Sequence, residues 1–469
     1  MFLQPKPLHF TGIGGIGMSG LAEIFHALGW PVTGSDAKLS PVTGRLARLG
    51  IAVSEGHCAS NLPPAAAALI VTSALNPANP EVAEARRRGL PIVSRGELLA
   101  EFMRGRRGVA VGGSHGKTTT SSMAACIAIH AGLDPTVFVG TLAPFLGGSN
   151  VRLGGDVFIA ECDESDGSFL ELAPFLAIIT NVDREHLDYY GNFDNARAAF
   201  VRFANRTSFE GAVIACVDDE EVRTLLPAVR RRVITYGHAA GAALHISEAR
   251  PGPAGSQFTL HRHGEPLGRF SVGVPGVHNI LNAAAAIAVC LELGVPVDAV
   301  RAGLAAYRGT GRRMEFKGSL AGITVIDDYG HHPTEVRATL DALRLAAPRR
   351  LFVVFQPHRY TRTQNLMDEF AGAFAAADVV RLLDIYAASE EPIPGVTAEI
   401  LAARITAAGH PDCRHIGALP VAVDALLGEL RAGDLVLTLG AGSVTQAGPM
   451  ILEGLGKEAA HGPQIQTTE

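Results

Sequence analysis

Aromatic residues are scarce: Phe, Trp and Tyr make up 6% of the 469 residues, with a single tryptophan. The 47% of hydrophobic residues must therefore build cores mainly from Ala, Val, Leu and Ile. The six cysteines, at 58, 126, 162, 216, 290 and 413, contain no C-x-x-C pair. They read as buried thiols of a reducing compartment, which argues against a disulfide framework. The formal net charge of -6 comes with no basic block, which argues against a nucleic-acid binder. The N-terminus lacks a charged segment followed by a long apolar core, so no signal peptide is expected. No apolar run reaches the roughly 18 residues needed to cross a bilayer, so no membrane insertion is expected. What these absences leave is a cytoplasmic enzyme.

At about 150 residues per domain the length suggests three domains. Strand-like apolar runs alternate with Ala/Leu-rich helical stretches, the pattern of α/β folds with largely parallel sheets. Three blocks are expected: 1–106, 107–310 and 311–456, joined near the polar stretches Gly105-Arg106-Arg107 and Gly311-Arg312-Arg313. Residues 457–469 are polar with scattered Gly, Pro and Gln, and a disordered tail is expected there.

The first block holds G-x-G-x-x-G at Gly12, Gly14 and Gly17 between a strand and a helix, with Asp36 at the end of the next strand. On spacing alone this is a dinucleotide fingerprint, and a nicotinamide oxidoreductase has to be considered. Physically the glycines require less. They let a diphosphate approach backbone at a helix N-terminus, so a nucleotide sugar would serve as well. The plain structural alternative is a glycine turn for tight strand–helix packing.

The second block opens with GVAVGGSHGKTTT at 108–120. Gly116-Lys117-Thr118 ends a glycine turn and suits a phosphate: N–H groups to cradle it, an ammonium, and a hydroxyl for Mg²⁺. The strict G-x-x-x-x-G-K-[ST] pattern is missed, because Val111 stands where its first glycine belongs. Downstream, Glu161, Asp163, Glu164 and Asp166 end the strand VFIAECDES. Acids there suit a divalent ion held beside phosphates, unless they are only solvated loop charges. Asn181 lies at the end of the strand LAIITNV, and Asp183, Glu185, His186 and Asp188 follow it. A histidine among carboxylates at that place suits a second divalent ion.

His278, Asn279 and Asn282 open an Ala-rich helix. Asn279 is either a helix N-cap or, with Asn282 one turn on, a nucleotide-facing amide. In the third block IDDYGHHPTEV places two acids at a strand end, two histidines in a turn, and Pro333 in a helical first turn. FQPHRYTRT adds His358, Arg359 and Arg362. The two guanidinium forks suit carboxylates or phosphates, although one could simply pair with Glu335. An active site in the cleft between the blocks is expected.

Together these motifs resemble the Mur ligase family, the ATP-dependent amide-forming enzymes of peptidoglycan synthesis. The resemblance rests on GIGGIGMSGLA, GGSHGKTTT, ECDESDGSF, ITNVDREHLDYY, GVHNILNA, GTGRRMEF, DDYGHHPTEV and QPHRYTRT, in family order over residues 9–363, with LVLTLGAGSV extending it. That family uses a shortened G-x-x-G-K-[ST] loop, here Gly113 to Thr118. The resemblance implies a Rossmann-like UDP-sugar domain, a central ATPase and a Rossmann-like closing domain. It places ATP on Gly113, Ser114, His115, Gly116, Lys117, Thr118, Thr119, Asn279, Asn282, Arg313 and Asp328. It assigns Mg²⁺, two ions in all, to Thr118, Glu161 and His186. The UDP-sugar falls to Gly12, Gly14, Gly15, Gly17, Met18, Ser19, Asp36 and Ser73. His331, Arg359 and Arg362 fall to the amino acid and the sugar carboxylate, with His331, His332 or water as base. The implied reaction joins L-alanine to the muramoyl carboxylate of UDP-N-acetylmuramate through an acyl phosphate. Lys117, Glu161, His186, His331 and Arg362 carry the chemistry, in a monomer or weak homodimer without nucleic acid. The alternatives are a recycling ligase that adds a preformed peptide to the same sugar, the nicotinamide oxidoreductase, and a non-catalytic ATP-binding regulator.

Overall fold

The computed structural model describes residues 5–460 except 74 and 77. Its strands collect into three sheets and give the expected three-domain α/β architecture. In the first, β1 (Leu8–Thr11), β2 (Val32–Asp36), β3 (Ala52–Glu55), β4 (Ala68–Val71) and β5 (Ile92–Ser94) run parallel in the order β3-β2-β1-β4-β5. The strand order reverses at β1, and in open parallel sheets that point is a ligand crevice. The glycine turn at 12–15 leaves β1 there and enters the helix Ile16–Ala27.

The second sheet has ten strands. They are β6 (Arg107–Gly112), β7 (Thr136–Ala143), β8 (Ser149–Arg152), β9 (Val157–Glu161), β10 (Leu176–Ile179), β11 (Ala212–Cys216), β12 (Val233–Gly237), β13 (Leu244–Gly252), β14 (Gly255–Arg262) and β15 (Glu265–Val272). Their order is β15-β14-β13-β12-β11-β10-β6-β9-β7-β8. β6 is parallel to both neighbours, β9 and β10, so the phosphate-loop candidate leaves the sheet at a second reversal point. No motif in the sequence marks the chain from β13 to β15. Its cue was available in the half-buried alternation of Gly255–Arg262 and the His263-Gly264 turn.

In the third sheet β16 (Glu315–Leu320), β17 (Ile323–Asp328), β18 (Arg350–Phe355), β19 (Val379–Leu383), β20 (Cys413–Gly417) and β21 (Asp434–Leu439) follow the order β16-β17-β21-β18-β19-β20. Only the β16–β17 pair is antiparallel.

The scarcity of aromatics shows in the packing. The helix Lys117–His130 is buried over most of its length, and its side chains are mainly Thr, Ser and Ala. Small residues let its neighbour come close: a Cβ added at Gly303 would lie 2.8 Å from Ile127 Cα. Cys126, Cys162, Cys216 and Cys290 are buried free thiols as expected, whereas Cys58 is exposed and Cys413 half-buried.

The chain divides into two compact units. One comprises Met1–Ala249, Phe258–Val272 and Ile280–Tyr307, and the other Arg250–Gln257, Gly273–Asn279 and Arg308–Glu469. The last helix, Ala447–Ala460, continues into the segment expected to be a tail. Lys457 pairs with Glu453 one turn earlier at 2.8 Å, which supports that final turn. Residues 461–469 of the expected tail lie outside the described residues. Among the described residues no helix is long and apolar enough to cross a membrane.

Candidate functional site

The loop after β6 accounts for the departure from the strict motif. Val111 is a buried strand residue paired with Ile178 and Glu161, where the chain needs a side chain rather than a turn. The turn itself is made by Gly113 (φ 124) and Gly116 (φ 81). Both are left-handed conformations that side chains rarely adopt. A Cβ at Gly113 would meet Thr180 Oγ1 at 2.0 Å, and one at Gly116 would meet Asn282 Oδ1 at 2.4 Å.

Polar contacts fasten the loop to the end of β10. His115 N donates to Asn181 Oδ1 at 2.7 Å, Thr180 Oγ1 donates to His115 O at 2.7 Å, and Asp183 N donates to Ser114 Oγ at 2.8 Å. The His115 ring lies 2.9 Å from Asp183 Oδ2. Lys117 opens the helix and turns its ammonium back over the loop, donating to Gly113 O (2.6 Å), Ser114 O (2.9 Å) and Glu164 Oε1 (2.9 Å). Burial opposes charge on Lys117, but Glu164, Glu185 and Asp163 outweigh it and raise the ammonium's pKa. Burial pushes Glu164 up to about 7 against the pull of Lys117. Thr119 is buried in the same first turn.

Two sets of hard donors lie beside this loop. Thr118 Oγ1 donates to Glu161 Oε1 at 2.9 Å, and Glu161 Oε2 accepts Gly140 N at 2.8 Å. Glu164, Glu185 and His186 bring one ligand atom each to within 4.8 Å of one another. His186 Nε2 is 3.8 Å from Glu164 Oε1, and its backbone takes a left-handed conformation at φ 56. Glu164 Oε2 is buried and has no hydrogen-bond partner among the described residues. A hydroxyl with carboxylates, and carboxylates with an imidazole, are donor sets a divalent ion can use. By sequence all four acids from 161 to 166 are equal candidates. Folding separates them: Asp163 faces Arg95 at 3.4 Å. Arg95 had not been singled out; its Cδ is 2.9 Å from where a Gly17 Cβ would lie.

In the first sheet Gly14 N donates to Asp36 Oδ2 at 2.8 Å, so this acid braces the glycine turn directly. Gly15 caps the helix, and Ile16, Gly17 and Met18 follow in its first turn. Met18 and Ser19 are buried, with Ser19 Oγ donating to Ile16 O at 3.1 Å. Any ligand contact of those two falls to the main chain, because their side chains are in the core. Ser73 is exposed in the turn after β4.

The Ala-rich helix begins at Val277, so Asn279 is inside it and the N-cap reading fails. Its Nδ2 instead donates to Pro275 O at 2.7 Å. Asn282 Oδ1 accepts Thr120 Oγ1 at 3.2 Å. Within the second unit, Asp328 accepts Met314 N and Gly330 N, both at 2.8 Å, and burial pushes its carboxyl up to about 6. Glu335 lies 3.8 Å from Arg313 and accepts His331 N at 2.9 Å. Glu335 thus meets Arg313, while Arg359, one of the two arginines considered for it, approaches Glu390 at 4.0 Å. His332 is the N-cap of the helix Pro333–Arg344, its Nδ1 accepting Thr334 N at 3.3 Å. The His331 and His358 rings lie 5.6 Å apart, and Arg362 Nη1 is 3.2 Å from His358 Nδ1. Burial, with these cationic neighbours, pushes His358 down to about 3. Arg359 stands at φ 70, ψ 139, a strained conformation for a side-chain-bearing residue.

Three family models match in succession: "Mur ligase family, catalytic domain" over residues 7–107, "Mur ligase middle domain" over 111–290, and "Mur ligase, glutamate ligase domain" over 312–442. A UDP-N-acetylmuramate–L-alanine ligase of Solibacter usitatus is 57% identical, over 98% of this chain and 97% of its own. One of Anaeromyxobacter is 50% identical over 96% and 98%. The crystal structure of a UDP-N-acetylmuramate–alanine ligase from Thermotoga maritima superposes with a TM-score of 0.82 at 29% identity, covering 97% of this chain and all of that one. Matches of this length leave the oxidoreductase reading without support. The chain belongs to the Mur ligase family.

Proposed function

We propose that the chain joins L-alanine to the muramoyl carboxylate of UDP-N-acetylmuramate, using ATP and releasing ADP and phosphate, in the cytoplasm. The observation that carries this is the constellation of Lys117, Thr118, Glu161 and His186 around one glycine loop, in a chain whose relatives bear that activity in their names. A carboxylate resists attack by an amine because its leaving group would be oxide. Phosphorylation removes that obstacle. A muramoyl carboxylate oxygen attacks the γ-phosphorus in line, and the bond to the ADP oxygen breaks. The neutral amine of L-alanine then adds to the acyl carbon, phosphate leaves with the electron pair, and the nitrogen gives up a proton.

The loop N–H groups and Lys117 hold the β- and γ-phosphates, and their fixed charges oppose the charge that builds up in the transition state. Thr118 with Glu161, and His186 with Glu164 and Glu185, are the residues that would hold Mg²⁺. When bound, it neutralises phosphate charge and orients the oxygens. Asn279, Asn282, Arg313 and Asp328 are assigned to the nucleotide. Gly12, Gly14, Gly15, Gly17 and Asp36 are assigned to the sugar diphosphate, and Arg359 and Arg362 to carboxylates. His332 caps a helix through Nδ1 alone, so His331, His332 and water all stand as acceptors of the amine proton. We assign residues 1–106 to the UDP-sugar, 107–310 to ATP and 311–456 to closure over the amino acid, in a monomer or weak homodimer.

The test is phosphate release with UDP-N-acetylmuramate and either L-alanine or a tripeptide. Release that requires the sugar and L-alanine together supports the proposal. Release with the tripeptide alone replaces it by the recycling reaction, and no release with either removes it.

A further inference from the structure

Between the sugar-side glycine turn and the carboxylate that faces Thr118 stands one buried asparagine that no motif marks. Asn150, in β8, is 0% exposed. Its Nδ2 donates to Ile16 O at 2.9 Å, in the first turn of the helix that follows the glycine turn. The same nitrogen lies 3.4 Å from Val139 O in β7. The next residue in β7, Gly140, donates its N–H to Glu161 Oε2 at 2.8 Å. Four polar groups thus link the entry of one ligand loop to the Thr118–Glu161 pair of the other.

The strand pairing is broken to allow this. Val137 pairs with Arg152 and Phe138 with Val151, but the next pair is Ala143 with Ser149. Residues 139–142 therefore bulge opposite Asn150 alone. A bulge beside a site re-aims backbone groups, here Val139 O towards Asn150 and Gly140 N towards Glu161. Two glycines make room on either side. A Cβ at Gly140 would come 2.7 Å from Glu161 Oε2, and a Cβ at Gly20 would come 2.7 Å from Asn150 Nδ2 and 2.6 Å from Val151 Cγ1.

We propose that Asn150 is a positioning residue, which with the 139–142 bulge fixes the sugar-diphosphate turn in register with Glu161. It touches neither substrate; it acts through Ile16 and Gly140. This rests on the assignment of the two loops to sugar and ATP made above. Each loop keeps its own contacts when the link is cut, so binding of each substrate alone should persist while the two reacting groups lose alignment. A misplacement of about 1 Å costs on the order of a hundredfold in rate.

Asn150→Asp keeps the shape but has no donor for the two carbonyls, and Gly20→Ala pushes the asparagine away without altering a polar group. For each variant, kcat is measured by phosphate release, with dissociation constants for UDP-N-acetylmuramate alone and for Mg-ADP alone by calorimetry. The expected result is a fall in kcat of about 10- to 100-fold with both constants within about twofold of wild type. A kcat within twofold of wild type overturns the proposal. So does a parallel loss of both binding constants, which marks general damage to the fold. Should Asn150→Asp not accumulate as folded protein, Gly20→Ala decides alone. Failure of the assigned reaction shows in the wild-type chain, as absent sugar-dependent phosphate release; failure of the positioning role shows only in the variants.

Discussion

Lys117 Nζ sits 2.9 Å from Glu164 Oε1, with 16% and 3% of the two side chains exposed. The phosphate-loop ammonium therefore has a buried carboxylate partner in the protein itself. Removing Lys117 takes away the charge that opposes burial of Glu164, whose carboxyl already stands at about 7, so the carboxyl takes up a proton and the loss is on the scale of a hydrogen bond to a charged group, about 2 kcal/mol. Lys117→Met is expected to lose stability on that scale and to cut phosphate release at least about a hundredfold. Adding Glu164→Gln to Lys117→Met should cost little further stability and return none of the activity. Denaturant midpoints of the wild type, both single variants and the double variant give the coupling. Strictly additive losses would refute a functional pair.

Glu161 is held from two sides, by the Thr118 hydroxyl and by Gly140 N. A neutral amide in its place keeps the volume but weakens any cation site. Glu161→Gln is expected to raise the magnesium concentration for half-maximal activity by about tenfold or more. His186→Ala should act in the same direction through the second donor set. Chelation of the wild type should stop phosphate release, and magnesium should restore it. An unchanged magnesium titration in Glu161→Gln would remove this residue from the metal assignment.

What the sequence made legible was contiguous. The turn from Gly113 to Thr118 and the acids that end and follow β9 are each a run of a few residues, within which spacing encodes geometry. Choosing among those acids was another matter. Which of Glu161, Asp163 and Glu164 meets Thr118, Arg95 or Lys117 depends on partners 43 to 68 positions away. Asn279, left open between cap and nucleotide-facing amide, and His332, left open as a base, turn on a local detail. A helix start one or two residues away turns a cap into an interior residue, or a candidate base into a cap. Asn150 gave no signal, because its role comes from a register shift in strand pairing that no residue type announces.

Gly116 and Gly132 have nearly the same φ, 81 and 79, but different surroundings. At Gly132 an added Cβ meets nothing within 4 Å, whereas at Gly116 it meets Asn282 Oδ1 at 2.4 Å. Gly132→Ala should cost only the conformational term, about 1 kcal/mol. Gly116→Ala adds a clash at the N-terminus of the phosphate-loop helix. It should therefore lose Mg-ADP affinity by tenfold or more in calorimetry, while Gly132→Ala binds as the wild type does. Equal binding by the two would mean that the Gly116 turn does not shape the nucleotide site.

Glu81 is fully buried in the first unit, yet it stays a strong acid. Burial acts to raise its pKa. His9, Thr11, Asn61 and Ser35 outweigh that and hold it at about 2, against 4.5 for a free side chain. Thr11 Oγ1 and Ser35 Oγ donate to Oε2 at 2.6 and 2.8 Å, and Asn61 Nδ2 to Oε1 at 2.9 Å. Since the folded pKa lies below the unfolded one, this group's stabilising contribution is complete above pH 4.5. It is lost as the pH falls from 4.5 towards 2, because the unfolded chain takes up the proton first. Glu81→Gln should lose about 2 kcal/mol at pH 7, the scale of hydrogen bonds to a charged acceptor. It should also show a flatter decline in stability between pH 4.5 and 2 than the wild type. Thr11 ends β1 just before the glycine turn, and Ser35 adjoins Asp36 at the end of β2, so the variant's affinity for UDP-N-acetylmuramate should weaken more than its affinity for Mg-ADP. Urea midpoints across that pH range, with calorimetry at pH 7, test both parts. Parallel pH profiles for variant and wild type would show that the carboxylate is not ionised in this cluster.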